Sequence, residues 1–467
     1  MTSHHAPRAH LLTGVAALCL LAQGAVAAPM DYPTALQHMT AASDRLAASR
    51  LAVDSAAQQR RAVERLGGPS VSLGAAAYAY NANLDVDLNP LGQALPGIAA
   101  QLPPQLGGLV AQLPHLPASY TLNRHKTDAT ASVNAVWPLY MGGATSAARS
   151  LADARTHEAQ ADSTRAGDEL ASLLVQRYFG AQLARRAAVL REAALRSIEQ
   201  HDAAAQKMLD AGVIAKVERL QARSALEEAR KNAQKARDDA DLAATALTRT
   251  ARANETVQAT SPLFVISQPI EPLDYFIDTA LARHPGLAKV AAKQAQATQL
   301  HAAQEALRRP QVFAFGQREI KSGNADWVAG IAVRWTLWDS IDRNALAASS
   351  QAQIEQAART DAQARSDIAL LVEKNWLALE QARRQYFAQQ AGVDLSAEVL
   401  RLREAGLREG TSTTLDLIDA QLNHAKVQTE RAQAAHDYVL ALAALLESSG
   451  LSDEFANYMA RADVKVD

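Results

Sequence analysis

The sequence contains an internal repeat, and this duplication limits what the chain can fold into more than any other feature. Trp137 in V-W-P-L-Y-M-G-G corresponds to Trp335 in R-W-T-L-W-D-S-I, and Gly212 corresponds to Gly410. Both pairs are 198 positions apart. An offset that stays constant over so long a stretch indicates two copies of one structural unit.

Each copy is predicted to contain the same elements in the same order: helix, strand, loop, strand, very long helix, tight turn, helix. We place the first repeat at residues 28–262 and the second at 263–452, which leaves 453–467 as a C-terminal tail. The first repeat carries an insert at 81–126, rich in leucine and proline, between its two strands.

Four segments alternate with period two and are predicted as strands, near residues 69–80, 128–138, 311–320 and 327–337. In the last of these, Trp327, Ile331 and Trp335 share an apolar face opposite small and polar residues. The pattern fits an ordinary half-buried hairpin. It also fits tilted barrel strands that face lipid outside and water inside. The duplication favours the barrel, and so does the secretory signal at residues 1–27 that is described below.

Period-seven patterning predicts coiled-coil helices. Apolar or aromatic side chains recur without a gap at Val372, Leu379, Tyr386, Val393, Leu400 and Leu407. Two stretches, about 143–209 and 343–407, contain no proline. At 1.5 Å per residue, each would form a helix roughly 100 Å long. A heptad stripe of that length requires partner helices, so these helices are predicted to belong to a bundle.

The N-terminus has the pattern of a secretory signal peptide at residues 1–27. Arg8 precedes a short apolar run, and Ala25-Val26-Ala27 fits a cleavage site. Cys19, the only cysteine, lies within the apolar run. Cleavage would therefore leave a chain with no thiol, which excludes disulfides, thiolate catalysis and cysteine-bound metal.

Charge and motifs exclude several other classes of function. The formal net charge is −2 with both signs interspersed, so no nucleic-acid-binding surface is predicted. No H-E-x-x-H, G-x-S-x-G or phosphate-binding glycine loop is present, and the histidines lack metal-ligand spacing. We therefore expect neither an enzyme nor a cofactor or metal site.

No segment after the signal is apolar enough to cross a bilayer as a helix, so a membrane-spanning form of this chain needs a closed β-barrel. Four strands from one chain are too few to close a barrel without exposing a sheet edge to lipid. Closure therefore requires several copies, and three copies would supply twelve strands.

Three motifs resemble the TolC family of outer-membrane efflux and secretion channels. They are V-N-A-V-W-P-L-Y-M-G-G (133–143), V-A-G-I-A-V-R-W-T-L-W-D (328–339) and L-R-E-G-T-S-T-T-L-D-L-I-D-A-Q (407–421). The resemblance covers nearly the whole mature chain. It implies a mainly α fold with a small β part. Long coiled-coil helices would form an α-barrel, and four strands per chain would contribute to a trimeric 12-stranded outer-membrane β-barrel.

The same resemblance implies a passive exit duct, built as a homotrimer in the outer membrane of a Gram-negative bacterium and extending into the periplasm. Such a duct contacts outer-membrane lipid and works with a periplasmic adaptor and an inner-membrane transporter of the RND or ABC type. The sequence does not separate a tripartite efflux pump from type I secretion, and it does not identify the cargo. The alternative is a periplasmic coiled-coil adaptor or structural protein of an export system.

By resemblance, Asp416, Asp419 and, more weakly, Glu218 lie around the periplasmic entrance, where a trimer would form acidic rings. Another interpretation stays open for each of these residues. Thr413 and Asp416 have the spacing of a capping box, and Glu218 fits an ordinary solvated helix face.

Two turns and four aromatic residues complete the candidate set. The turns Gly212-Val213-Ile214 and Gly410-Thr411-Ser412 break helices on any interpretation, and the resemblance makes them adaptor-docking sites. The indole side chains are candidates for membrane-interface anchors: Trp137, Trp327, Trp335 and Trp338.

The chain departs from the family pattern in two places. The glycine pair Gly142-Gly143 is replaced in the second repeat by Ser340-Ile341. Ser412 also occupies the position where the TolC pattern has an arginine that locks the closed mouth. A latch there is weaker or built differently. The insert 81–126 either caps or lines the outer mouth or is a disordered elaboration.

Overall fold

The computed structural model describes residues 28–80, 84–87, 119–122, 126–321, 323–338 and 340–466. The predicted signal peptide and most of the 81–126 insert lie outside these residues. Contacts divide the chain into two compact units. The helical unit consists of the described part of Met1–Ala57 together with Ala154–Gln294 and Gln356–Asp467, and the sheet unit consists of Gln58–Asp153 and Ala295–Glu355.

The helices follow the predicted duplication. The first repeat contains α1 (Tyr32–Ala42), α2 (Asp44–Glu64), α3 (Ala144–Asp210) and α4 (Lys216–Thr250). The second contains α5 (Leu273–Arg283), α6 (Pro285–Ala306), α7 (Arg343–Ala388), α8 (Gln390–Arg408) and α9 (Thr414–Ser448). A short 3₁₀ turn (Ser452–Glu454) and α10 (Phe455–Ala460) follow.

The long helix of the first repeat is continuous, whereas its counterpart in the second repeat is not. Helix α3 has 67 residues, which corresponds to about 100 Å. Helices α7 and α8 are separated at Gln389, whose N–H is shared between the carbonyls of Gln385 and Tyr386. The expectation of one helix over 343–407 is therefore corrected to two helices with an irregular turn between them.

The predicted heptad positions face inward, and their burial decreases along the chain. Val372, Leu379 and Tyr386 are buried, whereas the later positions of the seam are half-buried. Helix α9 contributes sixteen buried residues, including Tyr438 and Leu442. The seam thus packs into the core of the helical unit at its α7 end.

One aromatic cluster lies at the centre of that core. The rings of Tyr32, Tyr178 and Phe179 are within 5.8 Å of one another, and Phe455 joins them. The hydroxyl of Tyr178 donates to the Met30 carbonyl at 2.8 Å and accepts from the backbone N–H groups of residues 260 and 261. This tyrosine satisfies buried backbone groups that would otherwise be costly to bury.

Short strands tie the helical unit together. Strand β1 (Ala28–Met30) pairs in parallel with β6 (Val257–Ala259). Strand β7 (Leu263–Val265) pairs antiparallel with β10 (Val464–Val466). The predicted C-terminal tail thus contains α10 and a strand that is part of the unit.

The sheet unit contains the predicted strands. Strands β2 (Ser70–Tyr80), β5 (Lys126–Tyr140), β8 (Gln311–Glu319) and β9 (Trp327–Arg334) form one antiparallel sheet in the order β2-β5-β8-β9. The sheet joins both repeats through the β5–β8 pair. Within the insert, β3 (Leu84–Asp87) pairs with β4 (Ser119–Leu122).

Candidate functional site

The turns of both helical hairpins contain the same backbone hydrogen bond. In the first turn, residues 211–215, the N–H of Val213 donates to the Met208 carbonyl at 2.8 Å. In the second turn, residues 409–413, the N–H of Thr411 donates to the Gly406 carbonyl at the same distance. Gly212 and Gly410 have φ of 73° and 77°, the left-handed conformation that ends a helix in a Schellman-type cap. The predicted turns are therefore present at the 198-residue offset.

A capping box starts the helix after the second turn. The Thr413 hydroxyl accepts from the N–H of Asp416 at 3.1 Å, and the Thr413 N–H donates to Asp416 Oδ2 at 3.0 Å. The Thr413 N–H and hydroxyl both donate to the Asp416 carboxylate and hold its pKa below the usual value, and Arg403, 3.9 Å away, adds to the effect. The structure therefore contains the capping box that the spacing of Thr413 and Asp416 predicted. It leaves the carboxylate half-exposed.

The first turn has a different solution. Ala215 precedes α4 and makes no side-chain cap, so Glu218 has no capping partner at the position equivalent to Asp416. Instead, Arg219 forms a two-pronged ion pair with Asp202 on α3, with N···O distances of 2.6 and 3.2 Å. Both side chains are nearly buried, at 13% and 10% exposure. Arg219 also donates to Gln206 at 2.8 Å.

A small apolar cluster joins the two hairpins within the helical unit. Ile198, Ala222 and Leu226 from the first hairpin surround Ile418 from the second. The hydroxyl of Thr414 lies 3.9 Å from the sulfur of Met208. These contacts bring the two turns to the same end of the paired hairpins, which is the arrangement that a shared docking or entrance region requires.

The candidate residues at this end differ in exposure. Val213 is 70% exposed, whereas Ile214 is half-buried against the apolar cluster. In the second turn Thr411 is exposed, and Ser412 is half-buried with its N–H donating to the Gly406 carbonyl. Arg403 reaches the Ser412 hydroxyl at 3.5 Å, a marginal contact. Ser412 thus participates in the turn itself.

Asp416, Asp419 and Glu218 are not joined to one another within one chain. Asp416 is directed to Thr413 and Arg403, Asp419 is exposed, and Glu218 is half-exposed. A ring of these carboxylates therefore depends on other copies of the chain. Among the described residues, no cluster of histidine, cysteine, aspartate and glutamate could hold a metal ion.

The four-stranded sheet has two chemically different faces, which follow from its register. On one face, the paired rows contain apolar or small side chains and one arginine: Val71, Leu73, Val133, Ala135, Trp137, Ala314, Gly316, Arg318, Trp327, Ala329 and Ile331. The other face is mixed and holds most of the polar side chains of the rows: Ser70, Ser72, Ser132, Asn134, Gln311, Gln317, Glu319 and Arg334, together with the apolar Val136, Phe313, Phe315 and Val328. The apolar side chains are not covered, since Leu73, Trp327 and Ile331 are each about 70% exposed.

The four predicted tryptophans are all at least half-exposed. Trp327 begins β9 at one end of the sheet, and Trp335 and Trp338 follow the opposite end. Eight residues of β9 separate these ends, or about 26 Å at 3.3 Å per residue. This length is close to the ~25 Å apolar band of a membrane barrel. Trp335 also donates its indole N–H to the Arg308 carbonyl at 3.1 Å.

None of the described helices combines the length and the apolar character needed to cross a bilayer.

The duplicated helical hairpins and the four-stranded sheet give this chain the fold of solved outer-membrane channel subunits. A sequence profile described as "Outer membrane efflux protein" matches residues 35–251 and 276–451, one match in each repeat. The chain belongs to the outer membrane efflux protein family. The resemblance identified from the sequence is thereby confirmed.

Solved channels share the fold at low sequence identity. The CmeC outer membrane channel of Campylobacter jejuni matches with a TM-score of 0.73 and 14% identity, over 93% of this chain and 90% of that chain. The open-state MtrE channel of Neisseria gonorrhoeae gives 0.72 and 17%, over 90% and 89%. VceC of Vibrio cholerae gives 0.70 and 12%, over 90% and 96%. No curated protein matches the sequence.

These likenesses confirm the predicted fold class, a mainly helical chain with two repeats and a small β part. Sequence reasoning missed the Asp202–Arg219 pair. The signal that could have found it is the duplication itself, since the equivalent positions hold Leu400 and Leu417. Both positions are charged in the first repeat and both are apolar in the second. Such a joint difference indicates that the two positions are in contact.

Proposed function

We propose that this protein is a passive exit duct in which three copies close their four-stranded sheets into one 12-stranded outer-membrane barrel. The helical hairpins would extend into the periplasm. The observation that carries the proposal is the sheet, which has one exposed and mainly apolar face, an opposite face that holds most of its polar side chains, and two edge strands with no further partner among the described strands. Lipid outside and water inside match these two faces.

The sheet edges supply the argument for closure. Among the described strands, β2 pairs only with β5, and β9 pairs only with β8. Backbone N–H and C=O groups left unpaired in lipid cost several kcal/mol each. Because β2 and β9 run in opposite directions, β9 of one copy can pair antiparallel with β2 of the next. Three copies in a ring leave no edge.

We propose that the hairpin ends dock a periplasmic adaptor, which links the duct to an inner-membrane transporter of the RND or ABC type. The side chain of Val213, which is 70% exposed, supports this role, because the bond that closes the first hairpin uses only its backbone N–H. Thr411 of the second turn is also exposed. Efflux pump and type I secretion partners both use such a duct, and both stay within the proposal.

The entrance of this duct would carry the acidic ring. Asp419 is exposed and Asp416 retains a half-exposed carboxylate beside its capping bonds, so both are available to the lumen. Threefold symmetry would place six carboxylates from these two positions around the opening, with Glu218 contributing from the first turn. Such a ring favours cations.

The competing function is a periplasmic adaptor or structural coiled coil. That class has no use for an exposed apolar sheet face that ends in tryptophans, because in water this face would promote aggregation. The sheet therefore supports the duct over the adaptor.

Cross-linking of the sheet edges tests the duct. Cys19 lies in the predicted signal peptide, so engineered cysteines would be the only thiols of the mature chain. We expect β2/β9 double-cysteine variants, chosen among 71–75 and 329–333, to give disulfide-linked trimers in detergent, whereas each single variant gives none. Native mass measurement of the unmodified protein should give a trimer. A stable monomer or dimer would contradict the architecture.

A further inference from the structure

One arginine stands on the apolar face of the sheet without a partner. Arg318 of β8 pairs in register with Val133 of β5 and Trp327 of β9. Among the paired residues of this face whose side chains are described, it is the one charged group. Its side chain is exposed, and no hydrogen bond or ion pair joins its guanidinium to another described residue. By contrast, Arg334, on the polar face, donates to Gln311 at 2.9 Å.

Arg318 lies at the rim of a groove. Ala135, Gly316 and Ala329 form one row across three strands, and their small side chains leave a shallow depression of about 450 Å³. Val133 and Trp327, both exposed, border it together with Arg318. The groove is thus apolar along its floor and carries one positive charge at its edge.

The position of the charge along the strand is equally informative. Arg318 and Trp327 are the last paired residues of the β8–β9 ladder, at the end where β8 finishes and β9 begins. An arginine on a lipid-facing barrel surface is strongly destabilising at the bilayer midplane but is tolerated near the interface. Tryptophan at the same level marks that interface. In a membrane, the guanidinium would therefore lie at the level of the headgroup layer, where an anionic group can pair with it.

We propose that Arg318 and this groove bind an anionic, phosphate-bearing lipid, with its phosphate on the guanidinium and an acyl chain along the Ala135–Gly316–Ala329 floor. Guanidinium and phosphate form charge-assisted, two-pronged hydrogen bonds. The proposal rests on the proposed function, because it requires this face of the sheet to contact lipid.

The test uses the full-length trimer, delipidated in neutral detergent and titrated while native mass spectra are recorded. Phosphatidylglycerol, phosphatidylcholine and inorganic phosphate are the three probes. The variants are Arg318→Gln, Arg318→Lys and, as a matched control on the polar face, Arg334→Gln. We expect the wild type to prefer phosphatidylglycerol over phosphatidylcholine on the order of fivefold, the equivalent of ~1 kcal/mol per basic residue at an anionic surface.

Arg318→Gln should abolish this preference, whereas Arg318→Lys and Arg334→Gln should retain it. An unchanged preference in Arg318→Gln would overturn the proposal. Binding of inorganic phosphate as tight as that of the lipid would also overturn it, because the groove would then contribute nothing. Failure of the duct itself is a separate outcome, since it would appear as the absence of a trimer before any lipid is added.

Discussion

At the residue scale, the two hairpins solve the same packing problem with different chemistry. Asp202 and Arg219 are paired across the first hairpin, and the equivalent positions of the second repeat hold Leu400 and the buried Leu417. A buried ion pair is commonly no more stabilising than apolar residues of similar size, but removing one partner leaves an uncompensated charge. The duplication therefore provides a natural double replacement.

We predict that Asp202→Leu alone destabilises the protein by on the order of 3 kcal/mol, because Arg219 is left buried without its carboxylate. The double variant Asp202→Leu/Arg219→Leu should unfold close to the wild-type temperature. Thermal unfolding in detergent, followed by circular dichroism, measures both. Equal losses of stability in the single and double variants would contradict this argument. They would show that the ion pair itself stabilises the protein and that the loss does not come from an unpaired buried charge.

The glycine of the second turn gives another residue-scale prediction. Gly410 has φ of 77° and open space where a Cβ would lie. Glycine is therefore needed there for its backbone conformation and not because space is short. Gly410→Ala should destabilise by about 1 kcal/mol, the cost of a left-handed conformation for an L-residue. Gly392→Ala in α8 is the control. Its Cβ would meet Val427 at an ordinary 3.8 Å, and alanine favours a helix. A loss of stability in the control as large as at Gly410 would contradict the argument.

At the scale of elements, periodicity predicted the helices and strands but not all of their ends. The strand at 70–80 and the helix at 144–210 lie within a residue of their predicted starts. The capping box at Thr413 was readable from spacing because both of its bonds are local. The break at Gln389 was not, since no proline or capping pattern marks it and the heptad continues through it.

The insert also belongs to this scale. Strands β3 and β4 pair antiparallel just beyond the last β2–β5 pair, Tyr80 with Lys126. The two ends of the insert are therefore held together by backbone pairing. Replacing 88–118 by a two-residue Asn-Gly turn, which suits a short hairpin, should leave a stable trimer in detergent. Loss of the trimer would show that the replaced residues contribute to assembly.

At the scale of the whole molecule, the duplication and the signal peptide predicted a secreted, mainly helical chain with four strands. They did not predict how the chains of an assembly are arranged around one another. The register that separates Leu73 and Ile331 from Ser72 and Gln317 needed the structure, because weak alternation in β2, β5 and β8 does not set which strands neighbour each other. Nor does one chain position Asp416 or Asp419 against their symmetry mates, so their role is an assembly property.

Neutralising Asp416 and Asp419 separates a role in an acidic ring from a role in helix capping. Replacing Asp416 and Asp419 together by asparagine removes six charges from a trimer, while asparagine keeps the size and much of the capping capacity of aspartate. We predict lower cation selectivity and weaker block by multivalent cations in planar-bilayer conductance at low salt. The difference from wild type should fade at 1 M salt, where the screening length falls to about 3 Å.

Two controls make the outcome decisive. Asp416→Asn alone removes the charge that is held by Thr413 and Arg403, whereas Asp419→Asn removes an exposed charge with no capping role. If the carboxylates act as a ring, both single variants should lower cation selectivity, and only Asp416→Asn should also lower the unfolding temperature. Wild-type selectivity at low salt in a folded double-variant trimer would mean that Asp416 serves the helix start and that Asp419 is an ordinary solvated residue.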